Sequence, residues 1–383
     1  MTKCFSQHPY GECFSLKSTN YRYIPGLDHL RGFAAILVLL FHGGHFIAYE
    51  IIYGTAYDPS NWFKAANPFS ALVIEGHTAV SLFFVLSGFI FTVGAIGKNL
   101  NYFGFYRNRI LRTYPLFLFF LVLGILAYPE NFNIIGLLKS LLFFANSDSA
   151  INGGAFTFVF WSIAVEWHFY LIFPALIWLV QKKGWGYLLV IMFIFLMIRL
   201  IAYSHDVSMR ELSYWSIIGR IDQFIIGMLA GIFYQTKFKA SAWFDYLAIL
   251  GFAVVLSVLF VFNQFGGGGL NNHVWIYWTT IEASAWAVFI LGYLSITRHY
   301  PNFLSRIFIS IGTISYSIYL THFVVLDFFM QNDFDKIILL ENPLGTAVTN
   351  IFLLILPIVI VCSIFTHYCI EKPFLQRRKD YVR

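Results

Sequence analysis

Long apolar runs separated by short polar segments dominate the hydropathy pattern of this chain. Each run is apolar on all sides rather than along one stripe, and crossing hydrocarbon takes about 20 such residues. Ten runs fit this description, at residues 27–48, 71–97, 110–128, 157–181, 186–203, 214–235, 243–263, 274–297, 307–330 and 345–369. The pattern predicts an all-α integral membrane protein built as a bundle of about ten transmembrane helices.

Composition supports this prediction. Of 383 residues, 59% are hydrophobic and only 11% are charged, whereas soluble domains carry about 25% charged residues. One further apolar piece, residues 134–145, is too short to cross and is expected to be re-entrant or interfacial. The four cysteines form no C-x-x-C pair and no metal-ligand spacing, so neither a disulfide framework nor a metal site is expected.

Lysine and arginine residues fall mainly on one side of the predicted bundle. Of the 25 cations, nineteen lie on the side of the two termini, four lie in the opposite loops and two lie within spans. Cytoplasmic loops carry the excess of cations, so we expect both termini in the cytoplasm and the protein in the plasma membrane. The predicted parts are a cytoplasmic N-terminal tail (1–23), a transmembrane domain (24–376) and a cytoplasmic basic tail (377–383). Because the cations are scattered between spans, nucleic-acid binding is not expected.

Several ionisable residues lie inside the predicted spans, where each costs about 2.5–3.5 kcal/mol or more unless it faces water or a partner. Six of them fall at mid-membrane depth or in its outer half: His42, Glu166, Arg220, Asp222, Glu282 and His322. They come from at least five helices, which indicates a shared site, with scattered structural ion pairs as the alternative. Arg220 and Asp222 do not face each other on a helix, so we expect each to pair with another span.

Arg31 and His42 lie on one face of the first helix. Their spacing of eleven residues is three turns plus about 20°, with a rise of about 16.5 Å. Arg31 therefore lies near the cytoplasmic end and His42 deep inside. A lone histidine on an apolar helix is usually a packing residue, but a cation on the same face favours one wall of a channel.

Two further groups of polar residues have helical spacing. Ser162, Glu166 and Tyr170 form a stripe at successive i+4 positions, and we expect Glu166 to lie next to His42, where it would hold the imidazole and raise its basicity. Arg109 and Arg112 are i,i+3 neighbours at the cytoplasmic end of the third span. By itself the arginine pair is compatible with simple positive-inside anchoring, although paired guanidinium groups also suit phosphate.

Taken in order, seven short blocks of this sequence resemble the acyltransferase 3 family of membrane acyltransferases, which O-acetylate surface polysaccharides and related glycans. The resemblance covers roughly residues 24–376, so the predicted transmembrane domain would be the acyltransferase domain. The blocks are residues 27–32 with His42, then 83–89, 109–112, 161–170, 220–227, 315–322 and 371–374.

The resemblance implies a cytoplasmic acyl-CoA donor, most often acetyl-CoA, as co-substrate, with no permanently bound cofactor and an acceptor that arrives from the outer side or the membrane. On this basis Arg109 and Arg112 are expected to hold the phosphates of CoA, and Arg31 to steer the thioester into the bundle. His42 is expected to act as general base on the acceptor hydroxyl, or as the site of a transient acyl-histidine, with Glu166 orienting it.

Other residues are candidates for contacts with the substrate or with the developing oxyanion. They are Ser162, Tyr170, Arg220, Asp222, Glu282, Tyr319 and His322. The acceptor stays open between a polysaccharide, peptidoglycan, a lipid-linked oligosaccharide and a small molecule, and so does the oligomeric state. A secondary transporter with an intramembrane His/Glu/Arg site is the alternative function, although the sequence contains no inverted repeat.

Overall fold

The computed structural model describes Asn20 and residues 22–383. The described chain is almost entirely helical, and its only β-type pairing is a single bridge between Leu100 and Val382. The predicted all-α class is therefore confirmed. Most of the predicted N-terminal tail, with Cys4 and Cys13, lies outside the described residues.

Sixteen α-helices make up the described part of the chain. They are α1 (Pro25–Tyr53), α2 (Pro68–Ile74), α3 (Thr78–Ala95), α4 (Tyr102–Ala127), α5 (Ile134–Leu141), α6 (Phe160–Lys183), α7 (Gly186–Ser204), α8 (Met209–Trp215), α9 (Ile217–Thr236), α10 (Ala242–Gln264), α11 (Trp275–Ile296), α12 (Asn302–Thr313), α13 (Ser315–Gln331), α14 (Pro343–Asn350), α15 (Leu356–Thr366) and α16 (Lys372–Leu375). The π-helical turns Ile351–Ile355 and His367–Glu371 join the last three helices into one continuous segment.

The number of membrane spans agrees with the prediction. Among the described residues, nine helical segments are long and apolar enough to cross a membrane, and α12 with α13 forms a tenth span that is bent by 65°. Each of the ten predicted runs corresponds to one of these segments. The protein is therefore a multi-pass membrane protein.

Three boundaries differ from the prediction. The second run is not one helix, because the chain turns at residues 75–77 between α2 and α3. Gly76 permits this turn, since a Cβ there would lie 2.7 Å from the Cβ of Phe41. The third span begins at Tyr102 rather than at residue 110, because the basic residues before the apolar run are helical as well. The ninth run bends at Ile314.

The core of the bundle is formed around α3, which is the most buried of the spans. It packs closely against α9 at two glycines. A Cβ on Gly88 would collide with the backbone at Phe224, and one on Gly227 would collide with the backbone at Val85. Small residues at such a crossing let two membrane helices approach closely.

Both ends of the described chain meet at one end of the bundle, here called the terminal end. The backbone near the C-terminus pairs with the α3–α4 connection, where the N–H of Asn101 donates to the carbonyl of Tyr381 over 2.8 Å. The N–H of Tyr381 also donates to the side chain of Asn20 over 2.9 Å. This arrangement fits an even number of crossings. The segment predicted as a basic tail is thus packed against the bundle, and Tyr381 is 4% exposed.

Candidate active site

Two cavities lie one above the other inside the bundle and meet at Val80 and Tyr319, which line both. The one nearer the terminal end, here called the arginine cavity, is lined by Arg31, Ser87, Arg109, Arg112, Glu166 and Tyr170 among others. The other, here called the aromatic cavity, has a volume of about 410 Å³, and its lining includes His42, Trp62, Trp161, Arg210, Tyr214 and Trp215.

Four helices pass along both cavities, and each gives them different side chains. Helix α1 supplies Arg31 to the arginine cavity and His42 to the aromatic cavity, so the predicted common face of this helix is confirmed. Helices α3, α6 and α13 also contribute to both. The depth of a residue along its helix therefore decides which of the two environments it enters.

Cations gather where the arginine cavity continues toward the terminal end. Arg31, Arg109 and Arg112 line this opening together with Arg378. The guanidinium of Arg109 lies over the ring of Phe91, 4.7 Å from its centroid. Its buried Nε has no hydrogen-bond partner among the described residues, which leaves a donor available to a ligand.

Arg112 is held by the carboxylate of Glu371, which opens the last of the seven sequence blocks but for which no role was predicted. Its Nη1 donates to Oε1 of Glu371, and the other oxygen of Glu371 accepts from the hydroxyl of Ser317 over 2.9 Å. Glu371 lies at the end of the π-helical turn that begins at His367. Such turns often occur at functional sites, and here the turn presents Glu371 to the guanidinium of Arg112.

The polar stripe on α6 runs from the boundary between the cavities into the arginine cavity. The hydroxyls of Ser162 and Tyr319 form a hydrogen bond of 2.5 Å at this boundary. One turn further, Glu166 accepts a hydrogen bond of 2.8 Å from Ser87. After another turn, the ring of Tyr170 lies 5.8 Å below the guanidinium of Arg109.

His42 is hydrogen-bonded to a second histidine. Nδ1 of His42 lies 3.0 Å from Nε2 of His322, and Nδ1 of His322 lies 2.7 Å from the carbonyl oxygen of Tyr319. A carbonyl can only accept, so Nδ1 of His322 carries the proton and its Nε2 is the acceptor in the neutral ring. Nδ1 of His42 is then the donor. Nε2 of His42 keeps its lone pair and has no hydrogen-bond partner among the described residues.

The expected contact between Glu166 and His42 is wrong. His42 lines the aromatic cavity, whereas Glu166 lines the arginine cavity and is bonded to Ser87. The physical reason is depth, because Ser162 rather than Glu166 lies level with the boundary at Tyr319. Glu166 is about 6 Å further along α6. His322 takes the orienting position that was expected for the glutamate.

Three of the candidate residues lie outside both cavities and make no contact with His42, because they belong to buried networks. Arg220 is 3.9 Å from Glu282 and donates to Ser81 over 3.0 Å. Asp222 accepts a 2.5 Å hydrogen bond from Arg199. As expected, Arg220 and Asp222 pair with different spans. Their geometry is that of architectural ion pairs, and none of the three is brought to His42.

A further group of buried, hydrogen-bonded polar side chains lies near the end of the bundle opposite the terminal end, and the sequence analysis did not predict it. Glu75 is fully buried and accepts hydrogen bonds from Trp62 over 2.7 Å and from Asn263 over 2.7 Å. It also lies 3.0 Å from Nε2 of His77. The signal was present, since Glu75 and His77 are ionisable residues within a predicted span.

Comparisons with known proteins agree with this picture. A family model described as an acyltransferase domain matches residues 24–367. The chain is 24% identical over 344 residues to the O-acetyltransferase OatA of Staphylococcus aureus, covering 80% of this chain and 51% of that protein. It is 31% identical over 169 residues to the acyltransferase MdmB of Streptomyces mycarofaciens, covering 42% of this chain and 40% of that protein.

A third relative, YrhL of Bacillus subtilis, has a name that assigns it provisionally to peptidoglycan O-acetylation. It is 28% identical over 178 residues, covering 41% of this chain and 24% of that protein. The chain spans about half the length of the OatA proteins it matches, and no solved structure matches it significantly. Since the family model covers residues 24–367, which is most of the sequence, the chain belongs to the acyltransferase 3 family.

Proposed function

We propose that this protein transfers an acyl group, most often acetyl, from acyl-CoA to a hydroxyl of a glycan, with His42 as the general base. The observation that carries the proposal is the chain of hydrogen bonds from His42 through His322 to the carbonyl of Tyr319. This chain of bonds leaves Nε2 of His42 free to accept a proton at the aromatic cavity, which adjoins the arginine cavity. The names of the relatives support O-acetyl transfer, and one of them refers to a glycan.

The arginine cavity suits the donor. CoA carries three phosphates, which guanidinium groups bind through paired charge-assisted hydrogen bonds. Arg109 offers an unpartnered Nε, and Arg112 is oriented by Glu371. Arg31 would guide the thioester arm past α1, and Glu166 would accept hydrogen bonds from the amide groups of that arm. The thioester then comes to the boundary at Tyr319.

The chemical step needs one base and one hydrogen-bond donor. Nε2 of His42 removes the proton of the acceptor hydroxyl, and the oxygen forms a bond to the thioester carbon. The bonded hydroxyls of Tyr319 and Ser162 act as one unit that gives a single hydrogen bond to the developing oxyanion. The carbon–sulfur bond then breaks, and the thiolate of CoA leaves with the proton from His42. His322 accepts from Nδ1 of His42 throughout, so that Nε2 of His42 is the nitrogen that gains and then loses the proton.

The direction of transfer follows from the charge pattern. The terminal end carries the excess of lysine and arginine and would face the cytoplasm, where acyl-CoA is made. The aromatic cavity would then open toward the outer side of the plasma membrane, where the glycan arrives. The two substrates would approach the reaction centre from opposite sides of the bilayer, and the bilayer itself is the remaining partner.

The test is His42→Ala in purified protein in lipid nanodiscs, assayed with labelled acetyl-CoA and a panel of oligosaccharides. Loss of a general base lowers kcat by about 10²- to 10⁴-fold. His205→Ala is the matched control, because His205 is exposed at the end of α7 and lines neither cavity. Its activity should equal that of the unaltered protein. Size-exclusion profiles and thermal unfolding check that both variants are folded.

Two results would contradict the proposal. Ester-linked label formed by His42→Ala at the unaltered rate would exclude His42 as base. Failure of the unaltered protein to bind acetyl-CoA, measured directly by equilibrium binding, would exclude the donor.

A further inference from the structure

We propose that the aromatic cavity selects a glycan unit that carries an anionic group, and that Arg210 binds this group. The inference rests on the proposed function, because it concerns the acceptor of the same reaction. It adds the charge of the acceptor and a specificity-determining residue on α8 that belongs to none of the motifs. The ligand chemistry is an oxyanion attached to a sugar, either a carboxylate or a phosphate ester.

The lining of the cavity is aromatic and cationic. Three tryptophans and two tyrosines other than Tyr319 face it, together with three histidines and Arg210, and no carboxylate of the described chain lines it. Flat aromatic rings suit the apolar face of a sugar ring. A cavity with one fixed cation and no acidic wall favours a ligand of negative charge and repels a positive one.

The guanidinium of Arg210 is held in a fixed orientation. Its Nε donates to the carbonyl of Gly268 over 2.6 Å, and its backbone N–H donates to Asn271 over 3.1 Å. Nη1 of Arg210 lies 2.6 Å from the carboxylate of Glu211, and the side chain of Glu211 is 56% exposed. Exposed pairs of this kind contribute little, so an incoming anion can take the place of Glu211. Nη2 has no hydrogen-bond partner within residues 22–383.

The glycine-rich segment at residues 266–269 explains how this orientation is built. A Cβ on Gly268 would lie 2.6 Å from the ring of Trp62, so only glycine lets the ring pack there. Glu75 fixes the positions of Trp62 and Gly268. Its carboxylate accepts from Nε1 of Trp62 over 2.7 Å and from the N–H of Gly268 over 3.1 Å. The buried carboxylate thus fixes the carbonyl that orients Arg210.

The neighbouring part of the wall, on the same helix, is equally constrained. The ring of Tyr214 is close to two guanidinium groups, 5.9 Å from that of Arg210 and 4.9 Å from that of Arg220. Trp161 packs against Tyr214 with ring centroids 5.0 Å apart. Arg220 therefore supports the cavity from behind, and Arg210 is the cation that lines it. Preorganised side chains lose little freedom when a ligand binds.

The test compares oligosaccharides that differ only in the anion. One pair is a hexuronic acid oligomer and its carboxyl-reduced form, and a second pair is a phosphate-bearing oligosaccharide and its phosphatase-treated form. Binding to the full protein in nanodiscs is measured at equilibrium, and the two pairs distinguish a carboxylate from a phosphate. For at least one pair, the unaltered protein should prefer the anionic member by about tenfold, as expected for a charge-assisted hydrogen bond.

Substitutions give effects of opposite sign. Arg210→Gln should remove the preference, and Arg210→Lys should keep part of it. Glu211→Gln should increase the preference, because it removes the competing carboxylate. Lys64→Gln is the matched control, since Lys64 is exposed in the α1–α2 connection and does not line the cavity. Its preference should equal that of the unaltered protein.

The proposal is overturned if the members of both pairs bind equally to the unaltered protein, or if no anionic member binds. It is also overturned if Glu211→Gln and Arg210→Lys both leave the preference for the anionic member unchanged. These two variants keep the test decisive even if Arg210→Gln does not fold. Affinity for acetyl-CoA is measured on the same samples and should not change. Failure of the proposed function appears as absent donor binding or transfer, whereas failure of this inference leaves both intact.

Discussion

The two cavities differ in how many cations line them. In the arginine cavity several guanidinium groups converge, and Arg112 is already paired with a buried carboxylate. In the aromatic cavity a single arginine stands among tryptophans and tyrosines. The first environment suits a ligand with several phosphates, and the second suits a ring that carries few charges. Under the proposed function, these two environments would bind two substrates of different chemistry, one at each end of the bundle.

Only a narrow boundary separates these environments. Tyr319 lines both cavities, and its hydroxyl is bonded to Ser162. The carbonyl of the same tyrosine orients His322, which in turn orients His42. The backbone and the side chain of one residue therefore connect the boundary with the base. If the contrast is functional, substitutions on either side of Tyr319 should affect different kinetic parameters.

Apart from loss of His42 itself, the largest effect is expected from Arg112→Gln, which tests the arginine cavity. Loss of a charge-assisted hydrogen bond costs about 1.5–3 kcal/mol. We therefore expect the KM for acetyl-CoA to rise about 10- to 150-fold, with the KM for the acceptor unchanged. Steady-state kinetics in nanodiscs with each substrate varied in turn measures both values.

Arg107→Gln is the matched control for this substitution. Arg107 lies on the same helix, but its Nη2 donates to the backbone carbonyl of Arg377 over 2.9 Å and it lines neither cavity. Its KM for acetyl-CoA should be normal. An equal rise in both variants would mean that general positive charge, and not the cavity, attracts the donor.

A smaller effect is expected from His322→Ala, which tests the base side of the boundary. Without the acceptor at Nε2, His42 is no longer held in the tautomer that exposes its own Nε2. Loss of an orienting partner of a histidine costs about 10- to 100-fold in metal sites, and we expect the lower end of that range in kcat, with both KM values unchanged. His322→Gln keeps an acceptor and should recover part of kcat. An unchanged kcat in His322→Ala would exclude the relay.

The sequence predicted those features that depend on one helix at a time. The apolar runs gave the ten spans, and the eleven-residue spacing gave the common face of Arg31 and His42, because both follow from helix geometry alone. The i,i+3 spacing likewise brought Arg109 and Arg112 to one cavity.

Features that depend on the relative depth of two helices were not predictable in this way. His42 and His322 are 280 positions apart, and no periodicity within α1 or α13 shows which residues of the two helices lie level. Glu166 was expected to lie next to His42, yet it lies one helical turn too far along α6 and is bonded to Ser87. The bend at Ile314 was not predictable for a different reason, because an apolar run has the same hydropathy pattern whether it is straight or bent by 65°.

The smallest effect is expected at the boundary itself. Tyr319→Phe removes the hydrogen bond to Ser162 and keeps the ring, which should lower kcat about fivefold, the cost of about 1 kcal/mol for one hydrogen bond. Ser162→Ala should have a similar effect, and the double variant should lose no more than either alone, because both remove the same bond.

Tyr319→Ala also removes the ring that separates the two cavities, so water from the aromatic cavity should reach the thioester. Release of acetate from acetyl-CoA without acceptor measures this leak. A leak as low in Tyr319→Ala as in Tyr319→Phe would show that the ring does not separate the two cavities.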